Sequence, residues 1–154
     1  MKAEHKILIG SVLGVGLLFI FSRTHTGKSG GLNNPGNLRT SGDKFLGETS
    51  KPGDAFKSFV DVPHGTRAMF VILNTYRSKY GLKTLAELIS RYAPSSENDT
   101  AGYIDFVAKQ TGVKPDAIIS TPFLPYVVAA MSKMEGRRPL TISEAKQVYE
   151  KFFA

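Results

Sequence analysis

The chain has 154 residues, which suits one folded domain, and it contains no cysteine and only three histidines. These counts exclude disulfides and cysteine chemistry and disfavour a histidine-based zinc site, so no metal or cofactor is expected. The net charge of +7 favours an anionic partner, either a cell-wall polymer or anionic lipid. Nucleic acid is not expected, because the basic residues are spread along the chain. A basic surface that only maintains solubility is the alternative.

The first element is an uncharged apolar segment, residues 7–22, between Lys6 and Arg23. A helix of this length spans about 24 Å, and the two flanking cations can snorkel outward to match a hydrocarbon core of about 30 Å. Residues 1–23 are therefore predicted to be a single-pass transmembrane anchor, followed by a polar, glycine-rich tether over residues 24–31. A cleaved secretory signal is the alternative, but no small-x-small cleavage site follows the segment.

Residues 32–154 are predicted to form one soluble domain that begins with an irregular or small β region over residues 33–61. Apolar residues spaced by three and four predict a helix over residues 65–80, which Gly81 ends. Pairs of Thr and Glu three residues apart form capping boxes that predict two later helix starts, at Thr84 and at Thr141. The five predicted helices cover residues 65–80, 84–92, 99–110, 121–135 and 141–152. This mainly α layout is compatible with a lysozyme-like α+β fold.

If the anionic partner is a cell-wall glycan, its cleavage needs a carboxylic acid that stays protonated near neutral pH. Glu135 ends the most apolar predicted helix of the domain, beside Met131 and Met134. Both burial and the negative end of the helix dipole favour the protonated acid there. Glu97, in a turn between two helices, is the alternative acid, whereas Glu48 falls in the irregular region and is set aside. The competing interpretation for Glu135 is a solvent-exposed carboxylate near a helix end, and for Glu97 it is a helix-start carboxylate that the helix dipole favours.

Sugar binding uses aromatic ring faces and amide side chains. Turn formation by the asparagines and core packing by the tyrosines are the competing interpretations. His64 is a candidate general base, although a capping role at a helix start is favoured. The candidate sugar-binding residues are Asn33, Asn34, Asn37, Phe45, Tyr92 and Tyr103.

Residues 33–39, NNPGNLR, resemble the NNPGN(I/L)R signature of small phage virion-associated proteins. The resemblance implies a virion structural protein that takes part in penetrating the cell wall and that contacts other virion proteins. It also makes Arg39 a candidate for substrate binding. Further matches in the same order are FKSF at 56–59, GTRAM at 65–69, RYAPSSENDT at 91–100, AM at 130–131 and EG at 135–136.

The order of these strings also resembles, more loosely, the glucosaminidase and lytic transglycosylase group of lysozyme-like enzymes. That group has its catalytic glutamate on a helix before the asparagine string, whereas here only the apolar segment precedes Asn33. The helix that ends at Glu135 and Gly136 instead resembles the Glu-Ser-Gly helix of those enzymes, moved to the other end of the chain. The resemblance therefore implies a circular permutation in which Glu135 is the general acid.

The sequence thus predicts a membrane-anchored, phage virion-associated enzyme that cleaves peptidoglycan glycan strands, as a lytic transglycosylase or a muramidase. A single candidate acid favours the transglycosylase. Its predicted partners are glycan strands, a lipid membrane through residues 7–22, and other virion proteins. The alternative is a non-catalytic virion or membrane protein that binds peptidoglycan or a capsid partner. The predicted location is the membrane of a phage particle, with a bacterial inner membrane, facing the periplasm, as the alternative.

Overall fold

The computed structural model describes residues 32–154, where five α-helices follow an irregular segment. This confirms the mainly helical, five-helix prediction, whereas the predicted anchor and tether lie outside the described residues. Within residues 32–154, no helix combines the length and apolarity needed to cross a membrane. The helices are α1 (Val62–Tyr80), α2 (Leu85–Tyr92), α3 (Thr100–Thr111), α4 (Leu124–Glu135) and α5 (Ile142–Phe153).

Local capping sets most of the helix boundaries. Both predicted capping boxes are present, with Thr84 before α2 and Thr141 before α5. The predicted glycine stops are confirmed as well, since Gly81 and Gly136 follow α1 and α4 with φ values of 68° and 72°. Only glycine adopts this left-handed conformation without steric cost, so these two residues end the helices cleanly.

Two predicted helix starts are wrong by three residues. Helix α1 begins at Val62 rather than at residue 65, because the Asp61 carboxylate caps it and accepts from the His64 amide at 2.9 Å. Helix α4 begins at Leu124 rather than at residue 121, because Thr121–Phe123 forms a separate 3₁₀ turn. Prolines in the first turn of both helices suit these starts, since they lack the amide that would be unpaired there.

Helix α4 is the central element of the helical body. It packs against α1, α3 and α5, and ten of its twelve residues are buried. Small residues such as Ala129 and Ala130 in its middle let neighbouring helices approach closely. Because the helix is buried along its length, the side chain at its last position, Glu135, is also held inside the protein.

Residues 32–61 form an irregular lobe that side chains, more than backbone ladders, hold together. The expected small β region is present only as two isolated bridges, between Arg39 and Phe56 and between Glu48 and Phe59. Asn34 is buried and links three backbone groups: it accepts from the Leu38 amide and donates to the carbonyls of Leu38 and Lys57. Asparagine chemistry therefore replaces regular strand pairing in this lobe.

A buried ion pair completes the lobe. The Lys57 ammonium lies 3.2 and 3.1 Å from the two Glu48 carboxylate oxygens and donates to the Asp43 carbonyl at 2.7 Å. The side chains of Lys57 and Glu48 are only 1% and 2% exposed. Every donor and acceptor of the pair has a close partner, which is the condition under which a buried ion pair is tolerated.

Both ends of the described chain meet at the first turn of α1. Gly65 packs so closely on the Asn33 carbonyl that a side chain there would collide with it. On the same turn, the His64 ring lies 5.4 Å from the ring of Phe152, near the end of α5. The beginning and the end of residues 32–154 are therefore close together in space.

Candidate active site

Glu135 lies where the central helix meets the irregular lobe. Its side chain is buried, and the residue is only 7% exposed. The Tyr103 hydroxyl donates to Glu135 Oε1 at 2.9 Å. The second oxygen, Oε2, is buried without a hydrogen-bond partner among the described residues. The Tyr103 hydroxyl thus holds the carboxyl group through Oε1.

Burial dominates the acidity of Glu135. It raises the pKa of the carboxyl group from 4.5 to about 8, although the Tyr103 hydroxyl and the Asn37 amide each act to lower it. Gly136 ends α4 just beyond, so the helix also presents its negative dipole end to the carboxyl group. Glu135 is therefore protonated at neutral pH and has a proton to donate.

Tyr92 and Tyr103 lie in the core below the carboxyl group. Their ring centroids are 6.3 Å apart in an edge-to-face arrangement, and both rings are completely buried. Burial and then the nearby Glu135 charge raise the pKa of both hydroxyls, which therefore remain donors, Tyr103 to Glu135 and Tyr92 to the Gly36 carbonyl. In this conformation, neither ring offers a face on which a sugar can stack.

The asparagine string divides into structural residues and one site residue. The side chain of Asn33 donates to the Phe59 carbonyl at 2.9 Å, and that of Asn34 is used by the lobe backbone. Asn37 adopts a positive φ of 48° and directs its amide to Glu135. Of the three predicted asparagines, only Asn37 contacts the acid.

Arg39 lies at the edge of the same site. Its guanidinium carbon is 5.2 Å from the Phe56 ring centroid, and its buried Nε has no hydrogen-bond partner among the described residues. A second arginine, Arg137, stacks on the same ring at 6.0 Å. The sequence interpretation missed the contact of Arg39 and Arg137 with Phe56, although the FKSF string containing Phe56 was part of the family resemblance.

The other candidates lie elsewhere. Glu97 is in the turn between α2 and α3, where its amide donates to the Pro94 carbonyl. His64 Nδ1 lies 2.6 Å from Asp61 Oδ1, which agrees with the capping interpretation at the start of α1. Phe45 packs under the Lys57 ammonium in the lobe, at 5.2 Å.

A cavity of about 420 Å³ opens at the far end of α1 and does not include Glu135. It lies beside the carboxyl-terminal half of α1 and the segment before the 3₁₀ turn, so cavity size alone does not locate the acid. Its lining residues are Asn74, Arg77, Ser78, Lys83, Ile118 and Ile119.

The fold and the site together define a small helical domain whose central helix ends in a buried acid beside an asparagine-rich loop. Protein P5 of Pseudoalteromonas phage PM2 is similar to the chain, with 40% identity over 123 residues that cover 77% of each protein. The chain therefore belongs to the family of this phage protein. No protein-family model matches the chain. The relationship confirms the phage part of the resemblance that the asparagine string indicated.

Proposed function

We propose that the chain is a component of a phage particle that cleaves peptidoglycan glycan strands, with Glu135 as the general acid. The main support is the state of this one residue: it is buried, its pKa is raised to about 8, and its Oε2 has no partner among the described residues. A carboxyl group that stays protonated at neutral pH is what glycosidic bond cleavage requires.

In the proposed reaction, Glu135 donates its proton to the glycosidic oxygen, and the bond from that oxygen to the sugar C1 breaks. The C6 hydroxyl of the same sugar then attacks C1, and its proton returns to the Glu135 carboxylate. This lytic transglycosylase route needs only one carboxyl group, whereas retaining hydrolysis needs two about 5 Å apart. Among the described residues, no second carboxylate contributes to the pKa of Glu135, which favours the transglycosylase over a muramidase.

A lysozyme-like fold with permuted ends remains our hypothesis for the ancestry of the domain. Two observations support it: the acid ends a central buried helix, and the two ends of the described chain meet at the first turn of α1. Circular permutation is tolerated when the ends of a domain are adjacent, because joining them requires little rearrangement.

The proposed location is a membrane of the phage particle, with residues 7–22 as the anchor and the domain held near the surface. Its support is the uncharged apolar stretch between Lys6 and Arg23 together with the phage origin of the relative. In this setting the domain would contact other particle proteins and, during infection, the peptidoglycan beneath the outer surface of the host. A bacterial inner membrane is the alternative location.

A non-catalytic peptidoglycan-binding or capsid-binding protein is the second candidate function. The specific observation in its favour is that Glu135 is 7% exposed and that the rings of Tyr92 and Tyr103 are buried. A binding domain needs no exposed acid, and the arginine and aromatic groups at the edge of the site would be enough for adhesion.

Release of soluble muropeptides from purified sacculi by the full-length chain in detergent tests the proposal. We expect Glu135→Gln to reduce the release rate by at least about 100-fold, because the amide cannot donate the proton. Glu150→Gln, an exposed glutamate on α5, is the matched control and should retain full activity. If Glu97→Gln rather than Glu135→Gln abolished muropeptide release, Glu97 would be the general acid. Sedimentation of the wild type with sacculi without any release would favour the binding protein.

A further inference from the structure

Two arginines share one aromatic ring at the edge of the candidate site. The guanidinium carbons of Arg39 and Arg137 lie 5.2 and 6.0 Å from the Phe56 ring centroid. Arg137 comes two residues after Glu135, and Arg39 comes two residues after Asn37, so the segments that form the acid site also supply the cations. The three residues Arg39, Phe56 and Arg137 are here called the arginine patch, and its two arginines lie two residues along the chain from Asn37 and from Glu135.

The arginine patch has no anionic partner within the described residues. Neither Arg39 nor Arg137 has a carboxylate within 4.0 Å in residues 32–154, whereas the next residue, Arg138, pairs with Glu144 at 2.8 Å. Both guanidinium groups lie over the Phe56 ring. The N–H edges of a stacked guanidinium stay available for hydrogen bonds.

The unpartnered buried side-chain polar atoms of the described residues come from two short parts of the chain. Buried polar atoms in folded proteins nearly always have hydrogen-bond partners, so a cluster of exceptions indicates a binding site. All of these atoms belong either to the loop that carries Asn37 and Arg39 or to the acid itself. They are Asn37 Oδ1, Arg39 Nε, Ser41 Oγ and Glu135 Oε2.

We propose that the arginine patch binds a carboxylate of a stem peptide attached to the glycan, so that the site selects glycans that carry acidic groups over neutral ones. This inference rests on the proposed function, since it names the substrate class of the same site. The planar guanidinium matches a carboxylate with two parallel hydrogen bonds, which a neutral sugar hydroxyl cannot reproduce. Peptidoglycan has such free carboxylates on the stem peptides that are attached to its glycan backbone, whereas a neutral polymer such as chitin has none.

Arginine stacking on an aromatic ring also occurs in this protein away from the acid. The Arg91 guanidinium carbon lies 3.6 Å from the Tyr80 ring centroid and 5.2 Å from that of Tyr76. Arg91 therefore provides a matched control: its substitution removes the same charge and the same kind of stack, but beside the end of α1.

The test measures binding of the full-length chain in detergent to purified sacculi and to the same sacculi after chemical conversion of their carboxylates to amides. Glu135→Gln is used as the common background so that the glycan stays intact. We expect this protein to prefer untreated sacculi by about tenfold, which corresponds to about 1.4 kcal/mol. Adding Arg137→Gln should remove most of that preference, and adding Arg39→Gln should act in the same direction. Adding Arg91→Gln should leave it unchanged.

Equal binding to both kinds of sacculi, or an equal loss of preference in the Arg91 variant, would overturn the carboxylate site. Arg137 is exposed, so its substitution tests the proposal even if the Arg39 variant fails to fold. The proposed enzyme activity is read separately by muropeptide release. A chain that discriminates carboxylates but releases no muropeptides would keep the arginine patch and reject the enzyme, and active protein without discrimination would do the reverse.

Discussion

The irregular lobe and the helical body each bury one glutamate, and the pKa values of the two carboxyl groups shift in opposite directions. The Glu48 side chain in the lobe is 2% exposed, and Glu135 at the end of α4 is 7% exposed. Burial acts to raise the pKa of Glu48, but the Phe45 amide, the Lys57 ammonium and Ser50 together outweigh it, and the pKa is lowered. For Glu135, burial outweighs the stabilising contacts, and the pKa rises to about 8.

The difference lies in the partners that each carboxyl group has. Both oxygens of Glu48 face the Lys57 ammonium, so this residue is ionised and holds the lobe together. Glu135 has no cation beside it, only the neutral Tyr103 hydroxyl and Asn37 amide, and it keeps its proton at the expense of stability. A chain that pairs one buried glutamate with a cation and leaves another without one gives a physical reason to assign function to the second.

Removing the lysine that pairs with Glu48 should have the largest effect on the free energy of unfolding. Lys57→Met leaves Glu48 buried without its cation, and we expect the free energy of unfolding at pH 7 to fall by about 3–5 kcal/mol. The control is Lys44→Met. Lys44 lies 3.3 Å from the same carboxylate but is 71% exposed, so it should cost less than about 1 kcal/mol. Urea unfolding of both variants is the measurement, and similar losses would show that burial is not what makes the pair strong.

Removing the ionisable group of Glu135 should stabilise the fold. The folded-state pKa is about 8 and the ordinary value is 4.5, so the unfolded chain loses its proton first as the pH rises. The wild type should therefore lose stability between about pH 4.5 and pH 8, at up to about 1.4 kcal/mol per pH unit. Glu135→Gln should be more stable than the wild type by about 2–3 kcal/mol at pH 7 and nearly equal to it at pH 4.

Urea unfolding of the wild type and Glu135→Gln at several pH values gives both curves. The exposed Glu150→Gln variant should follow the wild type throughout. If the Glu135 variant proved less stable than the wild type at pH 7, the carboxyl group would have to be ionised and paired, and the contrast with Glu48 would disappear.

The smallest effect should come from the hydroxyl that partly stabilises the ionised acid. Tyr103→Phe removes the donor at 2.9 Å from Glu135 Oε1, so the pKa of Glu135 should rise further and stability should fall by about 1 kcal/mol. Because the protonated acid is the active form, the alkaline limb of muropeptide release should move to higher pH. An alkaline limb that stays in place or moves to lower pH would show that Tyr103 does not stabilise the ionised acid. Tyr126→Phe, at a half-buried tyrosine of α4, is the control.

The sequence predicted those parts of the fold that depend on near neighbours. The capping boxes at Thr84 and Thr141 and the glycine after Glu135 act within four residues, so their patterns are visible in the chain. The apolar stripe of α1 was less reliable at its end, because Tyr80 lies on the stripe but is exposed and stacks with Arg91 instead of packing in the core.

The arrangement of the lobe could not be predicted, because it depends on side chains that meet only after folding. Glu48 and Lys57 have no periodic spacing, and their pairing relies on the backbone links made by Asn34. The burial of Glu135 was predicted from the adjacent methionines. The contact between Phe56 and Arg137 was not predicted, because these two residues are far apart in the sequence and come together only across the junction of lobe and helix.

The meeting of both ends of residues 32–154 at the first turn of α1 has a practical consequence. A fluorescent protein or gold label fused after Ala154 would leave the domain on the same side as residue 32. The distance of such a label from a lipid surface or a particle shell would then report the distance of residue 32 from that surface.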